Sequence, residues 1–460
     1  MRYRFLSLFA TAVLVVSFSA TTKAETFYAY LNGAQEAPAP VATNATGYAR
    51  VFINESTLTL NFTVVFSNLS SAQTASHIHA PAAIGAATGV AIDFGAVGGT
   101  SGTISGSRSL TLTQLTQIRQ HLGYVNVHSA NFPGGEIRGQ LGIKRPVDFD
   151  GDGRQDYSVL KFPNIPAPGI APINFWNLNS TGGLDVSPAI GNANTDFPAP
   201  GDYDGDGRDD FALYRAGVAA APQGAYWVLL TSTFTMQYYA WGTTGDLQCA
   251  RDFDGDGITD PNVFRRGPVG STAVWYTRLS TIGAARLINL GTSSATTNDQ
   301  DFPVPGDYDG DGKFDVAVYR AGTLSPTNTF IVFRSSDSII SYTPFGNFVT
   351  DYIIPGDYDG DGKYDYAVAR TGATATSPMV WWILNSSNGT TTTVPWGITS
   401  DVPAQGDYDG DARADIAVYR AGASTGAAGR FWVRNSFDFS TKVTGWGTNP
   451  DFAVNTFDAR

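Results

Sequence analysis

The sequence predicts an all-β chain in two parts, an N-terminal β-sandwich followed by a C-terminal β-propeller of six blades, with seven as the alternative. Three observations predict it. Fifty-one glycines and abundant Thr, Ser, Tyr, Phe and Trp favour turns and strands over helices. An aspartate-rich loop recurs six times, beginning at Asp148, Asp202, Asp252, Asp307, Asp357 and Asp407, at intervals of 54, 50, 55, 50 and 50 residues. Each interval has room for about four short strands, the content of a propeller blade, which buries its faces only against its neighbours.

The chain opens with Arg2 and Arg4, an apolar run from Phe5 to about Ala20, and the small-residue exit Thr22-Lys23-Ala24. That is the pattern of a secretory signal over residues 1–24. The run is short of a comfortable membrane span, and no later segment approaches the roughly 20 apolar residues one requires. The expected product has no transmembrane segment and is secreted or held at the cell surface, with the periplasm as the bacterial equivalent. A single cysteine, Cys249, excludes an internal disulfide framework, so something else must hold the loops. The formal charge is −12, and the six loops supply 24 of the 41 acidic residues. This acidity reads as metal-ligating, and nothing in it suggests nucleic acid or an anionic membrane as the partner.

Residues 25–142 contain none of the repeats and all four histidines. Alternating segments such as Tyr48–Ile53 and Leu58–Phe66 read as half-buried strands, and Leu110–Gly123 alone has helical spacing. Four blocks stand in order: Leu31-Asn32-Gly33-Ala34-Gln35-Glu36-Ala37-Pro38, His77-Ile78-His79-Ala80-Pro81, Tyr124-Val125-Asn126-Val127-His128-Ser129 and Gly134-Gly135-Glu136-Ile137-Arg138-Gly139-Gln140-Leu141. They resemble the chordin-type (CHRD) domain. The resemblance implies an extracellular setting and no well-defined general activity. His77 and His79 alternate on a strand and so share a face, with His128 on another strand-like segment. Three neutral imidazoles suit zinc or copper, with Glu36 or Glu136 available to complete a site. The competing reading is that these histidines and Arg138 hydrogen-bond loops onto the sandwich. His121, in the helical segment, reads as a surface residue.

From residue 143 to 460 each unit repeats one order. An apolar residue and glycine (Trp241-Gly242, Trp396-Gly397) lead into an Asp-apolar-Pro segment (Asp196-Phe197-Pro198, Asp401-Val402-Pro403). The loop follows, then a strand ending in Arg (Arg215, Arg265, Arg320, Arg370, Arg420; Lys161 in the first unit), then an aromatic strand such as Val380-Trp381-Trp382-Ile383. The loop carboxylates fall at positions 1, 3, 5 and 9: Asp148, Asp150, Asp152 and Asp156; Asp202, Asp204, Asp206 and Asp210; Asp252, Asp254, Asp256 and Asp260; Asp307, Asp309, Asp311 and Asp315; Asp357, Asp359, Asp361 and Asp365; Asp407, Asp409, Asp411 and Asp415. Four carboxylates on a tight glycine-bearing loop suit Ca2+, which takes six to eight oxygens, so up to six ions are expected. An EF-hand would put Glu at position 12, where the fourth loop has Val318 within an alternating strand. The loops resemble the Asp-rich hairpin loops of FG-GAP and VCBS-type repeats of integrin-α-like propellers.

The first loop lacks a preceding Asp-apolar-Pro segment, and the chain ends on an orphan copy, Trp446-Gly447-Thr448-Asn449-Pro450-Asp451-Phe452-Ala453. The C-terminus is therefore expected to complete the first blade. Two loops look irregular. Ala412 stands where the others carry glycine, and the third loop has Arg251 in place of a leading glycine and Pro261 after Asp260. The sequence has no Gly-x-Ser-x-Gly elbow, HExxH or phosphate loop, and no histidine in the propeller. The resulting expectation is a non-enzymatic binding or adhesion protein, with a calcium-stabilised propeller presenting a surface to an extracellular protein or polysaccharide. The alternative is a transition-metal protein or metalloenzyme centred on the histidines.

Overall fold

The structure, a computed structural model, describes residues 24–143, 146–161, 172–293, 300–322 and 328–454. The signal-like stretch, apart from Ala24, lies outside the described residues. The N-terminal part contains β1 (Ala24–Asn32), β2 (Thr46–Asn54), β3 (Thr59–Ser67), β4 (Gln73–His79), β5 (Val90–Asp93), β6 (Gly102–Ser109), helix α1 (Leu112–Arg119), β7 (Tyr124–Ser129) and β8 (Ile137–Gln140). The strands form one antiparallel sheet in the order β5-β4-β7-β8-β1-β2-β3-β6.

The period-2 pattern fixes which face goes inward. β3 buries Leu60, Phe62, Val64 and Phe66 and turns the residues between them outward. These side chains share one core with Ile78 of β4, Ile92 of β5 and Val125 and Val127 of β7. The sandwich is thus a continuous sheet curled over on itself. Its two outer strands approach each other, since Arg108 of β6 donates to the carbonyls of Asp93 and Phe94, and Phe62 stacks on Phe94 at 3.7 Å. α1 starts on a Thr111–Gln114 capping box and buries Leu115 and Ile118. It is shorter than the helical spacing predicts because His121 takes a left-handed φ of 53°.

The propeller has six blades, each an antiparallel sheet. The fourth shows the pattern in Asp301–Pro303, Val316–Arg320, Thr329–Phe333 and Ile340–Pro344. The ring closes as the orphan segment predicts, with Phe452 and Ala453 pairing with Leu160 and Val159 of the first blade. The Trp446 indole then donates across the junction to the Trp176 carbonyl at 2.9 Å. Trp241 and Trp396 do the same toward Tyr276 and Trp432 of their next blades. Hydrophobic side chains gather at the junctions. Trp275 and Phe264 of the third blade meet Phe314 and Val318 of the fourth, and Phe431 and Tyr419 of the sixth meet Tyr157 and Val159 of the first.

The strand-ending arginines make their ion pairs within their own blades. Each grips the aspartate that begins or immediately precedes the first strand of its own blade: Arg215 with Asp196, Arg265 with Asp246, Arg320 with Asp301, Arg370 with Asp351, Arg420 with Asp401. The contact is bidentate, Nε and Nη2 each donating to one carboxylate oxygen, because the two residues are direct cross-strand partners such as Asp301 and Arg320.

Candidate metal centres

Each loop folds around its first aspartate. The Asp307 carboxylate accepts from the Gly310 N–H at 2.7 Å and from the Gly312 N–H at 3.0 Å. The ninth-position carboxylate, Asp315, accepts from the N–H of Tyr308 at 2.9 Å and of Ser335 at 2.6 Å. Ser335 and Ser336 lie in the turn between the last two strands of the blade, and the Ser336 hydroxyl donates to Asp309 at 2.7 Å. The same arrangement recurs: Thr181 donates to Asp150, Ser280 and Thr281 to Asp256 and Asp254, Ser386 and Ser387 to Asp361 and Asp359, Ser436 to Asp411. Sequence reasoning missed these turn hydroxyls. Their signal was a Ser/Thr pair recurring 28–33 residues after each loop start, broken only at Phe437.

The carboxylates converge. Asp148, Asp150 and Asp156 place one oxygen each within 4.8 Å of one another, as do Asp202, Asp204 and Asp206, Asp252, Asp254 and Asp260, and Asp307, Asp309 and Asp311. Burial, followed by neighbouring carboxylates, raises Asp156 to about 8 and Asp409 to about 7. In Asp210 and Asp365 burial is again the leading cause and each rises to about 7. Asp150 Oδ1, Asp359 Oδ1 and Asp411 Oδ2 are buried without a hydrogen-bond donor. Oxygen-only ligands, mutual repulsion and buried carboxylate oxygens that lack a hydrogen-bond donor fit a hard divalent cation such as Ca2+. The third loop is not distorted. Its Asp252 accepts from Gly255 and Gly257, and Arg251 bridges Asp260 as Gly201 bridges Asp210. Ala412 has φ 70°, the left-handed value that glycine has in the other loops.

The six loops form one ring. The N–H at position 8 of each loop donates to the position-1 carbonyl of the loop before it: Asp209 to Asp148, Thr259 to Asp202, Phe314 to Asp252, Tyr364 to Asp307, Ala414 to Asp357 and Gln155 to Asp407, at 2.6–3.0 Å.

The N-terminal domain sits on this ring. Thr26 Oγ1 donates to the Asp256 carbonyl at 3.0 Å, Gln35 Nε2 to the Gly410 carbonyl at 3.1 Å, and Arg50 to the Gly205 carbonyl. The Arg154 guanidinium lies over the Tyr30 ring at 4.1 Å. His121 is buried, not a surface residue, with Nδ1 3.4 Å from Asp357 Oδ2 of the fifth loop. A Cβ added to Gly257 would meet Thr26 Oγ1 at 2.7 Å, and one added to Gly312 would meet the Phe27 ring at 3.1 Å. At Gly257 and Gly312, position 6 therefore favours glycine both for its positive φ and for the approach of the covering domain. The ring is not an open ligand surface.

The three histidines are brought together as the alternation predicts. His77 Nδ1 lies 3.1 Å from His128 Nε2, and His79 lies beside both. They occupy the outward face of β4 and β7, under the segments 80–88 and 130–136. Burial lowers all three imidazoles, His128 to about 4. Glu36 and Glu136 do not join them. Glu136 accepts from Thr43, Ser70 and Ser129, and Glu36 accepts from Asn126, with burial raising it to about 7. Arg138 does pin a loop, donating to the Ala86 carbonyl at 2.7 Å.

No helix among the described residues is long and apolar enough to cross a membrane. No curated protein matches the chain. A family model for the CHRD domain matches residues 27–141, and one for the FG-GAP-like repeat matches residues 357–418, from the fifth loop into the strand after the sixth. The chain thus carries a CHRD domain seated on a six-bladed propeller that contains an FG-GAP-like repeat.

Proposed function

We propose that this is a secreted or surface-held, non-enzymatic binding protein in which Ca2+ in the six loops rigidifies the propeller and the platform under the CHRD domain. The observation that carries this reading is the loop ring itself. Six aspartate clusters, each with its ninth-position carboxylate buried and joined loop to loop by backbone hydrogen bonds, also bear the second domain. A divalent ion in each would cancel the repulsion that disfavours the ionised clusters and would take the place of disulfides. Both domain types are typical of extracellular proteins.

With the loop ring covered, the surface left for a ligand is the outer strands and the opposite end of the propeller. That end, one strand-length from the loops, carries exposed Val218, Val269 and Val349. The ligand is an extracellular protein or a polysaccharide. A glycan and matrix-protein array probed with the calcium-loaded mature chain should give binding that EGTA abolishes and added Ca2+ restores. Binding unchanged by chelation, or calorimetry showing no calcium uptake, would overturn the reading.

A further inference from the structure

The histidine cluster is built on a different principle from the loops. Its donors are nitrogens, it lies on the outer face of β4 and β7, and one ring nitrogen from each of His77, His79 and His128 falls within 4.8 Å of the others. What each imidazole does with its second nitrogen decides what the first can do. His79 Nδ1 is 2.9 Å from the Thr88 carbonyl and His128 Nδ1 is 3.0 Å from the Pro133 carbonyl. Carbonyls only accept, so both δ-nitrogens carry the proton and both ε-nitrogens present lone pairs. His77 Nε2 faces Asp93 Oδ1 at 3.6 Å, leaving His77 Nδ1 toward the other two rings.

We propose that His77 Nδ1, His79 Nε2 and His128 Nε2 hold one divalent transition-metal ion, copper or zinc, with a further coordination position open to solvent beside His77. Metal–imidazole bonds of about 2.0–2.1 Å separate tetrahedral ligand nitrogens by roughly 3.3 Å. The observed 3.1 Å between His77 Nδ1 and His128 Nε2 is close to that. A metal-free hydrogen-bond network explains less. His77 could donate to His128, but His79 Nε2 is buried with no donor. The carbonyl and carboxylate partners of the outer nitrogens are the supports that metal-bound histidines require. Tyr124 holds the His79 ring in place, stacked at 4.9 Å and 3°, and is itself covered by the Arg138 guanidinium at 3.6 Å. Three neutral imidazoles select borderline metals over Ca2+, so the site and the aspartate loops take different ions. With Glu36 and Glu136 engaged elsewhere, no glutamate closes the coordination shell. His77 is the most accessible of the three, its side chain 18% exposed beside Asp93 at 69%.

The test uses the mature full-length chain, stripped with chelator, returned to excess Ca2+, and dialysed separately against Cu(II) or Zn(II) buffered by nitrilotriacetate. Elemental analysis should show one equivalent retained, and the Cu(II) form should give nitrogen superhyperfine structure in its electron paramagnetic resonance spectrum. His79→Ala and His128→Ala should abolish that retention. Asp93→Asn alters only an exposed partner, so folding is not at issue, and it should weaken affinity about tenfold while keeping the spectrum. Retention of one metal and not the other identifies the ion. No retained ion with either metal, equal retention by wild type and His79→Ala, or a copper spectrum with oxygen donors only would overturn the proposal.

Discussion

Asp301 and Arg320 are not equivalent partners. The Asp301 side chain is wholly buried and also accepts the Thr292 N–H at 2.6 Å, whereas the Arg320 side chain is 40% exposed. Removing the aspartate lets the guanidinium return to water, but removing the arginine strands a desolvated carboxylate. In urea denaturation of the calcium-loaded protein, Arg320→Ala should therefore cost about 3–5 kcal/mol. Asp301→Ala should cost only about 1–3 kcal/mol; the reverse ranking would refute this account of the clasp. Ala412 is the opposite kind of residue, one whose replacement should help. Its φ of 70° strains any side chain, and its Cβ lies against Gly142 of the covering domain. Ala412→Gly should stabilise the protein by about 1 kcal/mol and tighten calcium binding at the sixth loop, read by calorimetry.

At the scale of the loop, charge crowding sets the pH dependence of stability. Asp156 titrates in the fold at about 8, and Asp210 and Asp365 at about 7. An unfolded aspartate titrates near 3.9, so between about pH 4 and 8 the ion-free fold holds protons that the unfolded chain has released. Stability then falls as pH rises. Melting in EGTA should drop from pH 5 to pH 8, and saturating Ca2+, by replacing those protons, should remove the drop; a flat profile in EGTA would refute the crowding. The loops themselves were legible in the sequence because their spacing and residue type are local. So was closure of the ring, since an orphan segment at one end matches a gap at the other. The Arg–Asp clasps were not, because the partners are 19 residues apart and meet only through strand register. The turn hydroxyls escaped for the same reason.

The relation between the two domains was the least legible feature, since nothing in either pattern says which surface of one meets the other. Sequence reasoning left unstated which propeller surface meets a ligand, and left His121 facing solvent. The fold instead turns β1 and β2, the end of α1 and Gly142 onto the ring, so that all six loops touch the CHRD domain. The contact is made largely to backbone carbonyls and glycines, whose positions depend on the loop conformation and so, on the proposed reading, on calcium in the loops. Chelation should then do more than lower the melting temperature. The CHRD domain has a core of its own, and it should stay folded while it leaves the platform. Small-angle scattering should show a larger radius of gyration in EGTA than in Ca2+, and limited proteolysis should open the connection near residues 142–146. Gly257→Val, which pushes a side chain into Thr26, should loosen the docking even with calcium present, while the propeller keeps its circular dichroism. If scattering and proteolysis are the same in EGTA and in Ca2+, the loops do not control the seat of the CHRD domain, whatever they contribute to the blades.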